Sequence, residues 1–416
     1  MTDEADMFLD EAHPRSWVGM VLGVWLTGVF AASLFGRLDA GREAIISIVW
    51  IGTAVVWPLA YFMVSRCRFV PDSLSFIGTV AMLLFGTFSV LSSFFSPVAL
   101  LSAGYVVLTL LGLWLALQFN TNLDAEQYEQ GLKIFAVLTT GLLVGFAWYD
   151  YVPGTRLGTG KNILNPNTIA LVSTSAFLAA MAIRTLALRF VVMGVVATVM
   201  VLTSSRAAAI AVLMGLTVTG WLRLRSHGRP VLLFAGVGLL VAVGAVVMYG
   251  GQVYDMLDRL YSLSTADRGI GSGASGRLEA WKWTWELFLH NPFIGVGFRA
   301  HEFLLRVDSS SHNGYLATLA ELGLIGFLAI ACLIARGLQI LWVRAQEPEG
   351  GFVPSLLLGL SVGYLFLAIF ERYLINVGNP TSLLFLLAVM QPQWDADPLP
   401  DEDELAFHVI EDSTVG

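Results

Sequence analysis

The sequence predicts an all-α polytopic membrane protein with about 12 transmembrane helices and one helical loop domain outside the bilayer. Three observations predict it. The 416 residues are 56% hydrophobic and only 13% charged, where a soluble domain carries roughly 45–50% and about 25%. Mean hydropathy is +0.73, which excludes an ordinary globular enzyme and a disordered chain. Apolar runs of spanning length recur from one end of the chain to the other.

A hydrocarbon core about 30 Å thick needs roughly 20 apolar helical residues. Such runs lie near 17–35, 44–64, 74–94, 98–119, 132–149, 167–183, 188–203, 207–222, 231–249, 313–335, 353–370 and 379–392. Several are short, and 167–222 divides in more than one way, so eleven or thirteen spans also fit. The leading residues are acidic, where a cleavable secretory signal wants positive charge, so 17–35 is expected as a retained helix. The organisation is then a tail over 1–16, helices one to nine within 17–249, a loop domain over 250–312, helices ten to twelve within 313–392, and a second tail over 393–416.

The net charge of −8 comes from the tails. Residues 1–13 hold five acids and 393–416 hold eight, with no Lys or Arg in either stretch. Without them, 18 acids face 23 bases, so the membrane body is basic. A basic body suits an anionic ligand or lipid, although inward loops of membrane proteins are basic in general. With both tails in the cytoplasm, short inner loops carry eleven Lys and Arg and short outer loops six. Arg223, Arg225 and Arg229 are the clearest inner cluster. This orientation puts 250–312 outside. One helix is legible there, starting at Ser275 or Gly276 and stopped by Asn291-Pro292. Leu278, Trp281, Trp285, Phe288 and Leu289 form its apolar stripe, which either lies on the membrane surface or packs on neighbouring protein.

Several motifs carry no chemistry. Cys67 and Cys332 lack the spacing of a disulfide framework or zinc site. Gly295-Val-Gly-Phe-Arg299-Ala300 fits a loose dinucleotide pattern but follows a helix and Asn-Pro, not a strand. Gly158-Thr-Gly-Lys161-Asn162 lacks the upstream glycine and the magnesium-binding hydroxyl of a phosphate loop. Gly19-x3-Gly23 and Gly359-x3-Gly363 read as helix-packing contacts.

Four features remain, all on the outer side. Ser204-Ser205-Arg206 interrupts an apolar run; Arg206 either snorkels to the interface or holds a phosphate. Ser275-Gly276-Arg277 opens the tryptophan helix, where a guanidinium beside free amides suits an anion, or is simply solvated. His312-Asn313-Gly-Tyr-Leu stands where the chain re-enters the membrane; the imidazole suits proton transfer near neutrality or is structural. The loop with Arg156, Lys161, Asn162 and Asn165-Pro-Asn167 supplies donors for phosphate or sugar, or is an ordinary turn-rich loop.

Taken in order, Ser-Ser-Arg206, Gly276-Arg277 with Trp281, Asn291-Pro-Phe-Ile-Gly-Val-Gly297, and His312-Asn313 with nine residues before Gly323-Leu-Ile-Gly326 resemble the O-antigen ligase/polymerase family. The resemblance spans roughly 150–330, and the His-Asn-x9-Gly-x-x-Gly stretch is its most specific part. It implies a GT-C-like membrane glycosyltransferase of the bacterial inner membrane, with a periplasmic loop domain and cytoplasmic termini. It implies a glycan donor on undecaprenyl diphosphate, a glycan acceptor, and no metal or other cofactor. Membrane lipid and other polysaccharide-export proteins fit as partners; nucleic acid does not. Arg206 and Arg277 match the family's diphosphate-binding arginines and His312 its essential histidine. Arg156, Lys161, Arg299 and Asn313 are expected in substrate binding.

The implied chemistry follows from charge. Arg binds diphosphate oxygens bidentately and keeps its proton, so two arginines stabilise the negative charge that grows as the anomeric C–O bond breaks. His312 takes the proton of the attacking hydroxyl, and nearby arginines keep it neutral for that role. In-line attack inverts the anomeric centre. The His312-Asn-Gly-Tyr-Leu form leans to a polymerase of exopolysaccharide or O-antigen repeat units over a ligase that transfers polymer to lipid A core. A lipid-linked sugar transporter is the alternative of another class. Ion-coupled transport usually needs intramembrane carboxylates, and only Glu321 lies inside an expected span, with Glu371 at the end of another.

Overall fold

The computed structural model describes residues 17–35, 49–65, 67–161, 163–226, 277–305, 310–347, 351–372 and 374–392. Among these residues the regular structure is all helical. The helices are α1 (Val18–Phe35), α2 (Trp57–Val64, entered through a π-helical turn at Gly52–Val56), α3 (Phe76–Phe94), α4 (Ala99–Asn122), α5 (Ala125–Asp150) and α6 (Pro166–Ala179). They continue as α7 (Leu186–Leu202), α8 (Arg206–Ser226), α9 (Arg277–His290), α10 (Gly314–Arg344), α11 (Phe352–Leu367) and α12 (Pro380–Val389). All but α9 coincide with expected spans. Among the described residues, α3, α4, α5, α8 and α10 are each long and apolar enough to cross a membrane unaided. The expected span 231–249, the loop residues 250–276 with Ser275 and Gly276, Asn162, Arg229 and both acidic tails lie outside the described residues.

Helices begin where a side chain can satisfy the first amides. Asp124 and Gln127 form a reciprocal capping box on α5. Asn165-Pro166 and Asn379-Pro380 start α6 and α12 with an amide cap followed by a residue that has no N–H to strand. Pro58 has no N–H for the carbonyl of Ala54, and the Trp25 indole of α1 donates there instead, at 3.0 Å.

The two glycine pairs act as packing notches. A Cβ at Gly19 or Gly23 would come within 2.3 and 2.6 Å of backbone oxygens on α5. One at Gly359 would lie 2.6 Å from the Gly215 carbonyl oxygen on α8, and one at Gly363 2.8 Å from that of Ala211. Small residues thus let α1 lie on α5 and α11 on α8 with backbones in contact.

Alternation of the helices gathers the loop segments 151–161, 163–165, 203–205, 291–305, 310–313, 368–372 and 374–379 at one end. Arg156 Nε donates to Thr203 O at 2.8 Å, and Ser33 Oγ donates to Gly378 O at 3.3 Å. Gly314 N donates to Ala368 O at 2.7 Å. At the opposite end Arg336 ties Ser75 to Gln391, and Asn120 donates to Met390 O at 2.8 Å.

The tryptophan helix α9 differs from its expected pattern. Ala280 and Thr284 are its buried face, packed towards α10, while Leu278, Trp285 and Leu289 are 55%, 44% and 56% exposed. The apolar stripe therefore splits. Its outer part points away from the protein, as a helix at a membrane surface requires.

Candidate active site

The site is assembled by a break in α10. Gly323 has φ 66 and ψ −174, a conformation open essentially to glycine. The break diverts two carbonyls from their helical partners: Ala320 O accepts from Val296 N at 2.9 Å and Glu321 O from Gly297 N at 3.2 Å. Leu324 N, freed in turn, donates to Pro292 O at 2.7 Å. A Cβ on Gly323 would stand 2.3 Å from the Phe293 carbonyl carbon, and one on Gly295 2.2 Å from Glu321 O. The Asn-Pro-Phe-Ile-Gly-Val-Gly and Gly-x-x-Gly motifs are thus two halves of one joint.

That joint sets the chain leading to His312. Glu321 points its carboxylate at buried His301, with Oε1 2.6 Å from Nδ1. His301 Nε2 lies 3.2 Å from Ser311 Oγ, and the Ser311 hydroxyl donates to Asn313 O at 3.4 Å. Ser311 thus links the His301–Glu321 pair to the backbone beyond His312. Asn313 Oδ1 caps α10 by accepting from Tyr315 N and Leu316 N, both at 3.1 Å. His312, between two buried, fully engaged neighbours, adopts φ 44, rare for a residue with a side chain. Among the described residues no hydrogen bond engages its ring.

His312 faces a cavity of about 560 Å³ at the loop-rich end. Arg299, Glu302, Glu371 and Arg372 form a charged arc with it. Arg372 pairs with Glu302 at 3.7 Å. Arg299 is buried, donates to the Ile375 carbonyl, and lies over the Tyr105 ring at 5.7 Å. Arg277, at the first turn of α9, stands over the Phe370 ring at 5.7 Å.

Electrostatics separate the two titratable groups of the arc. Burial, reinforced by the positive charges of Arg277 and Arg372 and by His301, holds His312 down to about 4. Burial pushes Glu371 up to about 7, although Arg277 and Arg372 pull against it. Burial also lowers Arg277, opposed by Glu371; a guanidinium keeps its charge under such a shift. At neutral pH the site presents a neutral imidazole beside fixed cations. Among the described residues no three His, Cys, Asp or Glu side chains converge as metal ligands.

The expected site residues divide accordingly. His312 and Arg299 line the cavity, and Arg277 is near enough for its charge to act on His312 and Glu371. Arg206 opens α8 at the turn held by Arg156, and neither is among the described cavity-lining residues. Lys161 Nζ lies 3.3 Å over the Tyr149 ring, and its loop is organised by buried Asp150, which accepts from Gly158 N and Lys161 N. Asn313 supports the site as a helix cap. Sequence reading missed His301, Ser311, Glu302 and the cavity roles of Glu371 and Arg372. The Asn313 cap did have a signal, an Asn immediately before an apolar helical run.

Fold and cavity together define an integral membrane protein with a charge-lined chamber at one end of a helical bundle. Residues 188–331, which run from α7 past His312 to the middle of α10, match the family model described as O-antigen ligase. That match, over about a third of the chain, supports membership of the O-antigen ligase/polymerase family, whose members are glycosyltransferase-type enzymes acting on lipid-linked glycans. A search of curated proteins gave no match.

Proposed function

We propose that this protein transfers a glycan from undecaprenyl diphosphate to a sugar hydroxyl in the cavity walled by His312, Glu371, Arg372 and Arg299. The supporting observation is that His312, held neutral, and the cations Arg299 and Arg372 line one chamber large enough for sugar rings. The acceptor hydroxyl oxygen attacks the anomeric carbon of the donor. A new glycosidic C–O bond forms as the bond to the diphosphate breaks, and that electron pair leaves on the phosphate oxygen. His312 takes the hydroxyl proton. Arg277, with Arg206 or Arg372 as the second guanidinium, stabilises the leaving diphosphate most when its charge is greatest. Arginines fill the role a metal fills elsewhere, and in-line displacement inverts the anomeric centre.

The donor sharpens its own base. Burial, and after it the charges of Arg277 and Arg372, suppress the basicity of His312. A bound diphosphate offsets their charge, so His312 becomes a stronger base only when there is a bond to break.

We further propose that the cavity end faces the periplasm, that both termini are cytoplasmic, and that Arg156 and Lys161 steer the anionic donor. The reaction is assigned to polymerisation of exopolysaccharide or O-antigen repeat units. Product analysis in a deletion strain tests it: accumulation of single lipid-linked repeat units supports polymerisation. Long chains stranded on undecaprenyl diphosphate would show ligation to lipid A core instead. Unchanged polysaccharide in that strain would defeat the glycosyltransfer reading altogether.

A further inference from the structure

The cavity lining also carries a set of neutral amides. Asn165, Asn376 and Asn379 all line it, with Asn167 and the Trp50 indole. Each of the first three spends its carbonyl oxygen on a backbone amide. Asn165 Oδ1 accepts from Asn167 N at 2.8 Å, Asn376 Oδ1 from Gly378 N at 2.8 Å, and Asn379 Oδ1 from Ser382 N at 2.9 Å. Only a carbonyl oxygen can accept from N–H, so these bonds also fix which way each amide is turned. The Nδ2 groups make no hydrogen bond among the described residues, so each of these side chains keeps both its N–H donors for a ligand while its oxygen is partly engaged. Trp50 backs the same segment closely: a Cβ on Gly378 would lie 2.7 Å from its ring.

We propose that this wall is the acceptor-sugar subsite, binding a glycan through its hydroxyl, ring and carbonyl oxygens while Trp50 covers an apolar face of the ring. The proposal rests on the glycosyltransfer reading and adds where the acceptor lies. The polarity has a chemical consequence. Hydroxyl oxygens that accept from amide N–H keep their own protons free to point elsewhere. In the same cavity the neutral imidazole of His312 is a proton acceptor. Amide N–H groups that hold the sugar oxygens orient the nucleophile towards that base, while the arginines take the diphosphate. The two substrates are thus sorted by charge within one chamber.

The probe is the repeat-unit oligosaccharide released from the producing strain's lipid-linked pool by mild acid, which carries no diphosphate. Its binding to the full-length purified protein is read by saturation-transfer NMR, which needs no turnover. The test variant is Asn376→Asp/Asn379→Asp. A carboxylate still accepts from Gly378 N and Ser382 N, so both turns are kept while the donors are lost. Asn167→Ala is a second probe, since no cap depends on that side chain. The expected result is saturable binding to wild type, at least a tenfold loss in the double Asp variant, and a measurable loss in Asn167→Ala. Equal binding to wild type and both wall variants, or no binding to wild type, overturns the subsite. Proteoliposomes with lipid-linked donor test the parent reading separately. A wild type that binds the oligosaccharide yet forms no glycosidic bond defeats glycosyltransfer and leaves the subsite standing.

Discussion

His301 Nδ1 lies 2.6 Å from Glu321 Oε1, in a pair closed off from solvent at 0% and 3% side-chain exposure. Through Ser311 this pair reaches the backbone on both sides of His312. It holds an unfavourable backbone conformation next to a cavity, which is how strain persists at sites that need a side chain aimed in one direction. Removing one partner of a buried hydrogen bond leaves the other unsatisfied and costs about 1–3 kcal/mol. Glu321→Ala is expected to lose thermal stability in detergent and most transfer activity. Glu321→Gln, whose amide oxygen still accepts from Nδ1–H, is expected to recover much of the stability. Equal melting temperatures for Glu321→Ala and wild type would show that the pair holds nothing.

Gly323→Ala puts a methyl group into the Phe293 carbonyl. The backbone conformation alone costs about 1–3 kcal/mol for a residue with a side chain. The joint is expected to open and take the 311–313 segment with it. Thermal unfolding and transfer rate should both fall. Gly326→Ala meets mainly the side chain of Leu322, at 2.6 Å, and is expected to be milder.

The acid limb of activity should report His312. The neutral ring is the base, so kcat/KM falls as pH drops through about 4 in the free enzyme. Arg372→Gln removes one of the charges that lowers it, so the limb is expected to move up towards the ordinary histidine range. The pH profile of kcat/KM checks this, and a limb unmoved in Arg372→Gln would count against His312 as its origin.

Glu371 is expected to govern donor binding near neutrality. Raised to about 7, it is protonated below that pH and its charge no longer offsets Arg277, while Arg372 keeps its pairing with Glu302. Above it the carboxylate competes with the diphosphate for the same guanidinium groups. The donor KM should therefore rise as pH increases through 7 in wild type and stay flat in Glu371→Gln.

The helices were legible because hydropathy period and length depend on local composition. Asn-Pro pairs at 165–166 and 379–380 mark their starts, and glycine pairs such as Gly19 and Gly23 mark their close contacts. The break at Gly323 was not legible, since a glycine in an apolar run reads as a packing contact until the 291–297 segment is known to lie against it. His301 was missed because its partner is twenty residues away and inside an expected span. Glu371 and Arg372 read as a helix end and a loop charge. Only the convergence of four loops gives them a shared cavity. Arg206 and Arg277 were distinguished by family resemblance, and of the two the charge of Arg277 acts on His312.

Initial rates of glycan transfer in proteoliposomes, with purified wild type and His312→Ala at matched melting temperature, test the central claim most directly. General-base catalysis contributes about 10²–10⁴-fold. A drop in kcat of at least about 100-fold with donor KM little changed is the predicted result. A folded His312→Ala protein that transfers glycan at the wild-type rate would contradict it.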